Sequence, residues 1–267
     1  MHPEWAATNQ QGMKRTLFVV AVALLSATLS AAQEIPGGTL LPVALVRTLR
    51  AGKVKPNCPV VARLAQYAVI NGSHVPRGTE VSGRVVESRP ASSGSPARLV
   101  LSFDSIRLNG HDIPITTSLR ALASMQAVFE AELPTNLVDD YGSSLRDWNT
   151  TQVGGQVVYR GDGIVMEADE VVGKASVIGE VFGRPKTWAW SPCARDAVLN
   201  SEQAFWVFST DACGGYGLGD VKVTHAGRTA PVGRIALESQ DKIELQGGSA
   251  FLLVVISTGQ PSNSARL

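Results

Sequence analysis

Short stretches in which apolar and polar residues alternate, punctuated by proline and glycine, fill the chain from about residue 39 to residue 116. Thr39 to Val46 (TLLPVALV) predicts a first strand, with Pro42 marking an edge or a bulge because proline brings no N–H to a ladder. Val60 to Ile70 predicts a second, ending at Asn71-Gly72, a dipeptide suited to the positive φ angles of a two-residue hairpin turn. Thr79 to Glu87 sets Val81, Gly83 and Val85 against polar neighbours. Arg98 to Leu108 then places Leu99, Leu101, Phe103 and Leu108 on a largely alternating pattern before a second turn, Asn109-Gly110. His111 to Thr116 pairs back as a short strand. A Ser/Pro/Gly loop runs from Arg89 to Pro96.

The period changes after Leu119. Leu122, Met125, Phe129 and Leu133 recur at three and four residues, the spacing of an amphipathic helix ending near Pro134, although an extended crossing segment fits the same stretch. Asn136 to Asn149 is polar and turn-rich and reads as a boundary. Strand-sized segments then return at Gln156–Arg160, Ile164–Glu167, Val171–Lys174 and Ala175–Phe182. They continue at Phe205–Phe208, Val221–His225, Gly233–Leu237, Lys242–Leu245 and Phe251–Ile256. Strands at this spacing predict a compact sandwich or barrel. The fold class expected is therefore all-β: a small barrel-like domain over 33–119, a connector over 120–150 that is helical or extended, a C-terminal β domain over 151–260, and a disordered tail at 261–267.

The start of the chain carries a different pattern. Lys14-Arg15, the unbroken apolar run Leu17–Leu25 and the small residues of Ser26–Ala32 follow the charged, apolar and small-residue order of a secretory signal peptide over residues 1–32. Ser30 and Ala32 stand at −3 and −1 of the expected cleavage site, and Met13 is a natural start for such a signal. The run spans about 14 Å as a helix, against about 30 Å for a hydrocarbon core, so an export signal fits better than a membrane anchor. The expectation is an exported protein, periplasmic or secreted.

Charge adds little to this picture. The 267 residues carry 24 basic and 23 acidic side chains, a formal net charge of +1, which speaks against a polybasic nucleic-acid arm. Hydrophobic residues make up 44% and charged ones 18%, a globular composition. Aromatics are only 6%, too few for the girdles of a transmembrane barrel. The three cysteines carry more information. In an exported chain, Cys193 and Cys213, 20 residues apart, are expected to form a disulfide, leaving Cys58 as a thiol. No Cys-x-x-Cys pair is present, so neither a zinc knuckle nor a thioredoxin-like site is indicated.

One motif occurs twice. Ile35-Pro-Gly-Gly-Thr39 and Val75-Pro-Arg-Gly-Thr79 share the form apolar-Pro-x-Gly-Thr before a strand, and look like two matched corners of a small barrel. With Val75–Arg84 at its centre, the segment Thr39–Glu87 resembles the start of the TrbI-type β-barrel domain of conjugation and type IV secretion channels. That resemblance implies a barrel working in the cell envelope. Across its whole length the chain is similar to a group of exported acidobacterial proteins, through Leu119–Met125, Val153–Tyr159, Phe205–Gly217 and His225–Gly233. This second resemblance implies a shared architecture and supplies no activity.

Candidate chemistry is sparse. Ser209, Asp211, Cys213 and His225 sit in one block and contain the elements of a Ser–His–Asp or Cys–His arrangement. No Gly-x-Ser-x-Gly elbow accompanies them, and a disulfide would remove Cys213 as a nucleophile. His74, His111 and Asp112 lack the paired spacing of a zinc site, and Asp162, Glu167, Asp169 and Glu170 miss the EF-hand pattern, so no metal or other cofactor is expected. Isolated acids such as Asp104 and Asp139-Asp140 give no basis for glycosidase chemistry. Trp188 and Trp190 are candidates for stacking on a sugar ring or anchoring a partner, whereas Trp206, inside a strand-like run, reads as core. The expected function is that of a non-enzymatic envelope protein, a binding or assembly module that takes an envelope protein or polymer as partner or forms a homo-oligomer. A hydrolase using Ser209, Asp211 and His225, and a carbohydrate-binding module using Trp188 and Trp190, are the alternatives.

Overall fold

In a computed structural model, residues 34–135, 148–224 and 232–258 are described. The expected signal peptide at 1–32, the tail at 261–267 and most of the boundary at Asn136–Asn149 lie outside them. The first strands are β1 (Leu40–Leu45), β2 (Leu49–Arg50), β3 (Pro59–Leu64), β4 (Ala68–Ile70), β5 (Ser73–Val75), β6 (Glu80–Arg89), β7 (Ala97–Leu108) and β8 (His111–Ala123). Helix α1 (Met125–Glu132) follows. Then come β9 (Asn149–Thr151), β10 (Val157–Tyr159), β11 (Ile164–Glu167), β12 (Glu170–Ala175), β13 (Val181–Gly183) and β14 (Gln203–Ala204). The last are β15 (Gly214–Tyr216), β16 (Lys222–Thr224), β17 (Ile235–Ser239), β18 (Glu244–Leu245) and β19 (Ala250–Thr258). The protein is nearly all β.

Six strands close a barrel in the order β8-β19-β1-β3-β6-β7, with β7 pairing back to β8. Closure leaves these staves no free edge. Turn chemistry explains the N-terminal half. Asn71-Gly72 and Asn109-Gly110 hold positive φ at both positions and make the tight links β4–β5 and β7–β8. The repeated motif builds the same corner twice. Gly38 and Gly78 have φ of 88° and 85°, Thr39 and Thr79 each donate a hydroxyl hydrogen bond of 2.7 Å to the carbonyl of Pro36 and Pro76, and each corner enters a stave. Each corner glycine also donates its N–H to a neighbouring stave, Gly38 to the Val255 carbonyl and Gly78 to the Leu64 carbonyl.

The last strand completes the barrel. Although sequence pattern groups Ala250–Thr258 with the C-terminal block, β19 runs antiparallel between β1 and β8, with Leu40 opposite Val254 and Phe251 opposite Leu122. β17 likewise pairs with β7, and β15 lies parallel to β8. A boundary near residue 150 therefore separates the two sheets only in part. Pro42 is not on an edge strand, since β1 has neighbours on both sides. It sits where the β1–β3 ladder ends, accepting a bond from the Ala65 amide and having no N–H to return.

Phe251, Leu253 and Val255 point into the barrel core with Leu41, Val43, Leu101, Phe103 and Leu119. Ala250, Leu252 and Val254, on the opposite face of the same strand, join a second core. That core lies against an antiparallel meander of β9 to β14, whose Val158, Val165 and Val181 are fully buried within it. Burial on both faces explains why β19 reads as an unbroken apolar run and not as an alternation. Buried glutamine amides stitch the layers together. Gln66 exchanges hydrogen bonds with both backbone groups of Val181, and Gln203 accepts from the Leu40 amide at 2.7 Å. Both sheets belong to one compact unit that begins at Ile35.

Two local expectations fail for identifiable reasons. The helix is only eight residues long because β8 extends through Ala123. Met125, Phe129 and Leu133, whose spacing suggested a buried face, are exposed while Val128 and Ala131 are buried. The segment Phe205–Phe208 is a turn and not a strand, although every residue of it is buried. Trp206 there adopts φ of +54°, a left-handed conformation that is rare for a bulky side chain.

Candidate functional site

Between β13 and β14 the chain leaves the meander and forms an irregular loop over residues 184–202. Trp188 and Trp190 lie on it. A tight turn, in which the Ser191 N–H donates to the Trp188 carbonyl at 2.9 Å, brings the two side chains together. The two indoles are parallel within 8°, with centroids 6.4 Å apart. They are 45% and 82% exposed. The pair suggested by sequence is thus brought together as an aromatic surface open to solvent.

The loop beneath the pair is anchored at several points. Cys193 and Cys213 form the expected disulfide. Arg120, projecting from β8, is 2% exposed and donates from Nη2 to the Lys186 carbonyl at 2.5 Å, while its Nη1 lies 3.6 Å from Asp196 Oδ2. One barrel side chain therefore grips the loop on both flanks of the tryptophans. Lys186 adds a clasp to the meander, with Nζ 2.6 Å from Glu167 and 3.2 Å from Glu170. Its backbone N–H also donates to the Thr210 carbonyl. Burial works against the charge on Lys186, but its hydrogen bonds to the two glutamates prevail and hold its pKa above the ordinary value. Glu167 and Glu170, whose spacing misses the EF-hand pattern, thus serve as counter-charges to a lysine. Arg120 was legible only as the first residue of the expected connector, because nothing local marks a side chain that will reach across to hold a distant loop.

The remaining candidates do not converge. Ser209 is completely buried, and its hydroxyl donates to Asp211 Oδ1 at 2.7 Å. Cys213 is held in the disulfide, and His225 lies outside the described residues. Ser209 as placed offers no oxygen to a solvent-borne substrate. His74 stacks on Tyr67 with centroids 5.1 Å apart, and Asp112 pairs with Arg107 at 2.9 Å. Among the described residues no three His, Cys, Asp or Glu side chains gather as metal ligands. Cys58 is a half-buried thiol. Among the described residues no helix is long and apolar enough to cross a membrane.

The chemistry this arrangement offers is therefore that of a surface. Two parallel π faces can stack against flat, weakly polar C–H surfaces or a complementary apolar anchor. They sit on backbone fixed by a covalent link and a buried cation, so little ordering is left to be done on binding. Comparisons with protein families, curated proteins and solved structures find no match to this chain.

Proposed function

We propose that the protein is an exported, non-enzymatic binding module of the cell envelope that holds a saccharide polymer against Trp188 and Trp190. The observation that carries this reading is the parallel, solvent-open tryptophan pair on a loop locked by Cys193–Cys213 and Arg120. Exposed tryptophans are costly unless something covers them, and rigid aromatic anchors supply much of the energy at binding surfaces. A pyranose ring presents the flat C–H face that suits such a surface. The disulfide fits an oxidising compartment.

The test is titration of the purified protein with soluble β-glucan and chitin oligosaccharides, together with pull-down on purified cell-wall polysaccharide. Binding to at least one of these polymers is expected, and Trp188→Ala with Trp190→Ala should weaken it at least about tenfold, the loss of one anchor worth about 1.4 kcal/mol. Both side chains are exposed, so circular dichroism should not change. Failure of the wild-type protein to bind any of these polymers, or binding indifferent to the double substitution, would overturn the reading.

A further inference from the structure

A second site, unrelated to the tryptophan pair, lies where α1, the meander and the Phe205–Phe208 turn meet. A cavity of about 260 Å³ opens there, with Trp148, Trp206, Val177 and Ile178 among its walls and Arg160 and Glu132 as its charged groups. Small apolar ligands need no more room than this, since a cavity of about 150 Å³ holds benzene.

Three features of the lining are unusual together. First, Arg160 is 8% exposed, yet among the described residues no carboxylate stands within ion-pair distance of it. Its guanidinium donates to the carbonyls of Ser176 and Glu180 at 3.0 and 3.3 Å and to Thr150 Oγ1 at 3.4 Å, which orients the group without neutralising it. Burial pushes its pKa below the ordinary value, and the charge of Glu132 opposes that. Among the described residues this buried cation is balanced only by Glu132, beyond ion-pair distance, a costly arrangement, and a carboxylate is the partner that suits its planar fork. Second, Trp206 is held at φ +54° by its backbone N–H donating to Gln66 Oε1 at 2.8 Å and by its indole N–H donating to Glu132 at 3.2 Å. Backbone strain of this kind clusters at binding sites. Third, the rim is the tip of the β12–β13 hairpin, where polar turn residues are usual. Here it carries Val177 and Ile178, 39% and 70% exposed.

We infer that this cavity binds a small monocarboxylate with an apolar body, its carboxylate paired to Arg160 and its body lying against Trp148, Trp206 and Ile178. The Glu132 charge in the same wall disfavours a dianion such as phosphate, and a single guanidinium provides for one carboxylate.

The experiment uses calorimetric titration of the whole protein with phenylacetate and with its uncharged isostere phenylacetamide. Phenylacetate should bind one to one and at least tenfold tighter than the amide. Ile178→Glu changes an exposed rim residue and leaves the fold unchanged by circular dichroism. It should weaken phenylacetate at least tenfold by placing a like charge at the entrance. Arg160→Gln, if it folds, should abolish the preference for the acid. Trp188→Ala with Trp190→Ala should leave phenylacetate binding unchanged, which separates this site from the saccharide surface. Equal affinity for acid and amide, absence of saturable phenylacetate binding, or insensitivity to Ile178→Glu would each overturn the inference.

Discussion

Replacing Leu252 by alanine removes a side chain from the face of β19 that an ordinary barrel stave turns to solvent. In this protein that face is covered: Leu252 is completely buried in the core shared with the meander, while its neighbour Phe251 is completely buried in the barrel and meets Phe103 edge-on at 5.4 Å. Large-to-small changes at such positions cost about 2–5 kcal/mol for Leu→Ala and about 3–5 kcal/mol for Phe→Ala. The aromatic pair accounts for about 0.5–1.5 kcal/mol of the latter. In a unit of this size, a loss of about 3 kcal/mol lowers Tm by about 6–12 °C. Adjacent residues on opposite faces should thus destabilise comparably, whereas Ile256→Ala, at a 38% exposed position, should cost under about 1 kcal/mol. The assay is urea unfolding followed by far-ultraviolet circular dichroism and by tryptophan fluorescence. Circular dichroism reports all the strands, and Trp148, Trp188, Trp190 and Trp206 report the meander side. The two curves should coincide and shift together in both variants. A Leu252→Ala variant that loses less than about 1 kcal/mol, or that shifts one probe and not the other, would refute the claim that β19 belongs to both cores.

Other consequences can be checked in the same way. Gly38 and Gly78 occupy matched corners, but an added Cβ at Gly38 would lie 2.7 Å from the Ala197 carbonyl oxygen and the Leu199 amide nitrogen, whereas at Gly78 nothing lies within 4 Å. Gly78→Ala should therefore cost only the left-handed backbone, about 1–2 kcal/mol, and Gly38→Ala about 2–5 kcal/mol, read from urea midpoints. Reducing Cys193–Cys213, or replacing both cysteines by serine, should lower stability by about 3 kcal/mol and weaken saccharide binding with the tryptophans intact. Unchanged binding after confirmed reduction would show that the link does not shape the surface. Asp220 accepts from the Ser239 hydroxyl at 2.8 Å and the Gln240 amide at 2.9 Å, and these bonds hold its carboxyl below the ordinary value. Their stabilisation is present above about pH 4, where the unfolded group is ionised, and is lost as pH falls through the lower folded value. Asp220→Asn should remove that part of the acid dependence, measured as urea midpoints from about pH 6 down to about pH 2.

Much of the barrel is legible in the chain because its signals are local. Asn71-Gly72, Asn109-Gly110 and the two Pro-x-Gly-Thr corners fix turns from a few residues each, and half-buried staves such as β3 declare themselves by alternation. Which strand closes the barrel was not legible, since closure rests on pairing between Leu40 and Val254, and no local pattern states which distant strand will lie alongside. The same limit applies to α1. Met125 and Phe129 have the spacing of a buried stripe, but the neighbouring core takes Val128 and Ala131 instead. Of the sites, the disulfide and the tryptophan pair could be named from residue type and spacing. Arg160 and Arg120 could not, because an arginine looks the same in sequence whether water or protein surrounds it. Trp206 was expected to be core and is buried, but its turn conformation depends on Gln66, 140 positions away.

The position of β19 has a consequence for how the molecule is made. Synthesis runs from the first residue to the last, so the stave that fills the gap between β1 and β8 leaves the ribosome after all the others, more than 200 residues behind its partner Leu40. Until then the nascent sheet is open, with two unsatisfied rows of backbone groups beside apolar residues, a state prone to adhere to other chains. Pairing over so long a span is also slow to nucleate. A chain interrupted before Ala250 would thus be left permanently unclosed, and the protein depends on being kept apart from its neighbours until the whole chain is free to fold.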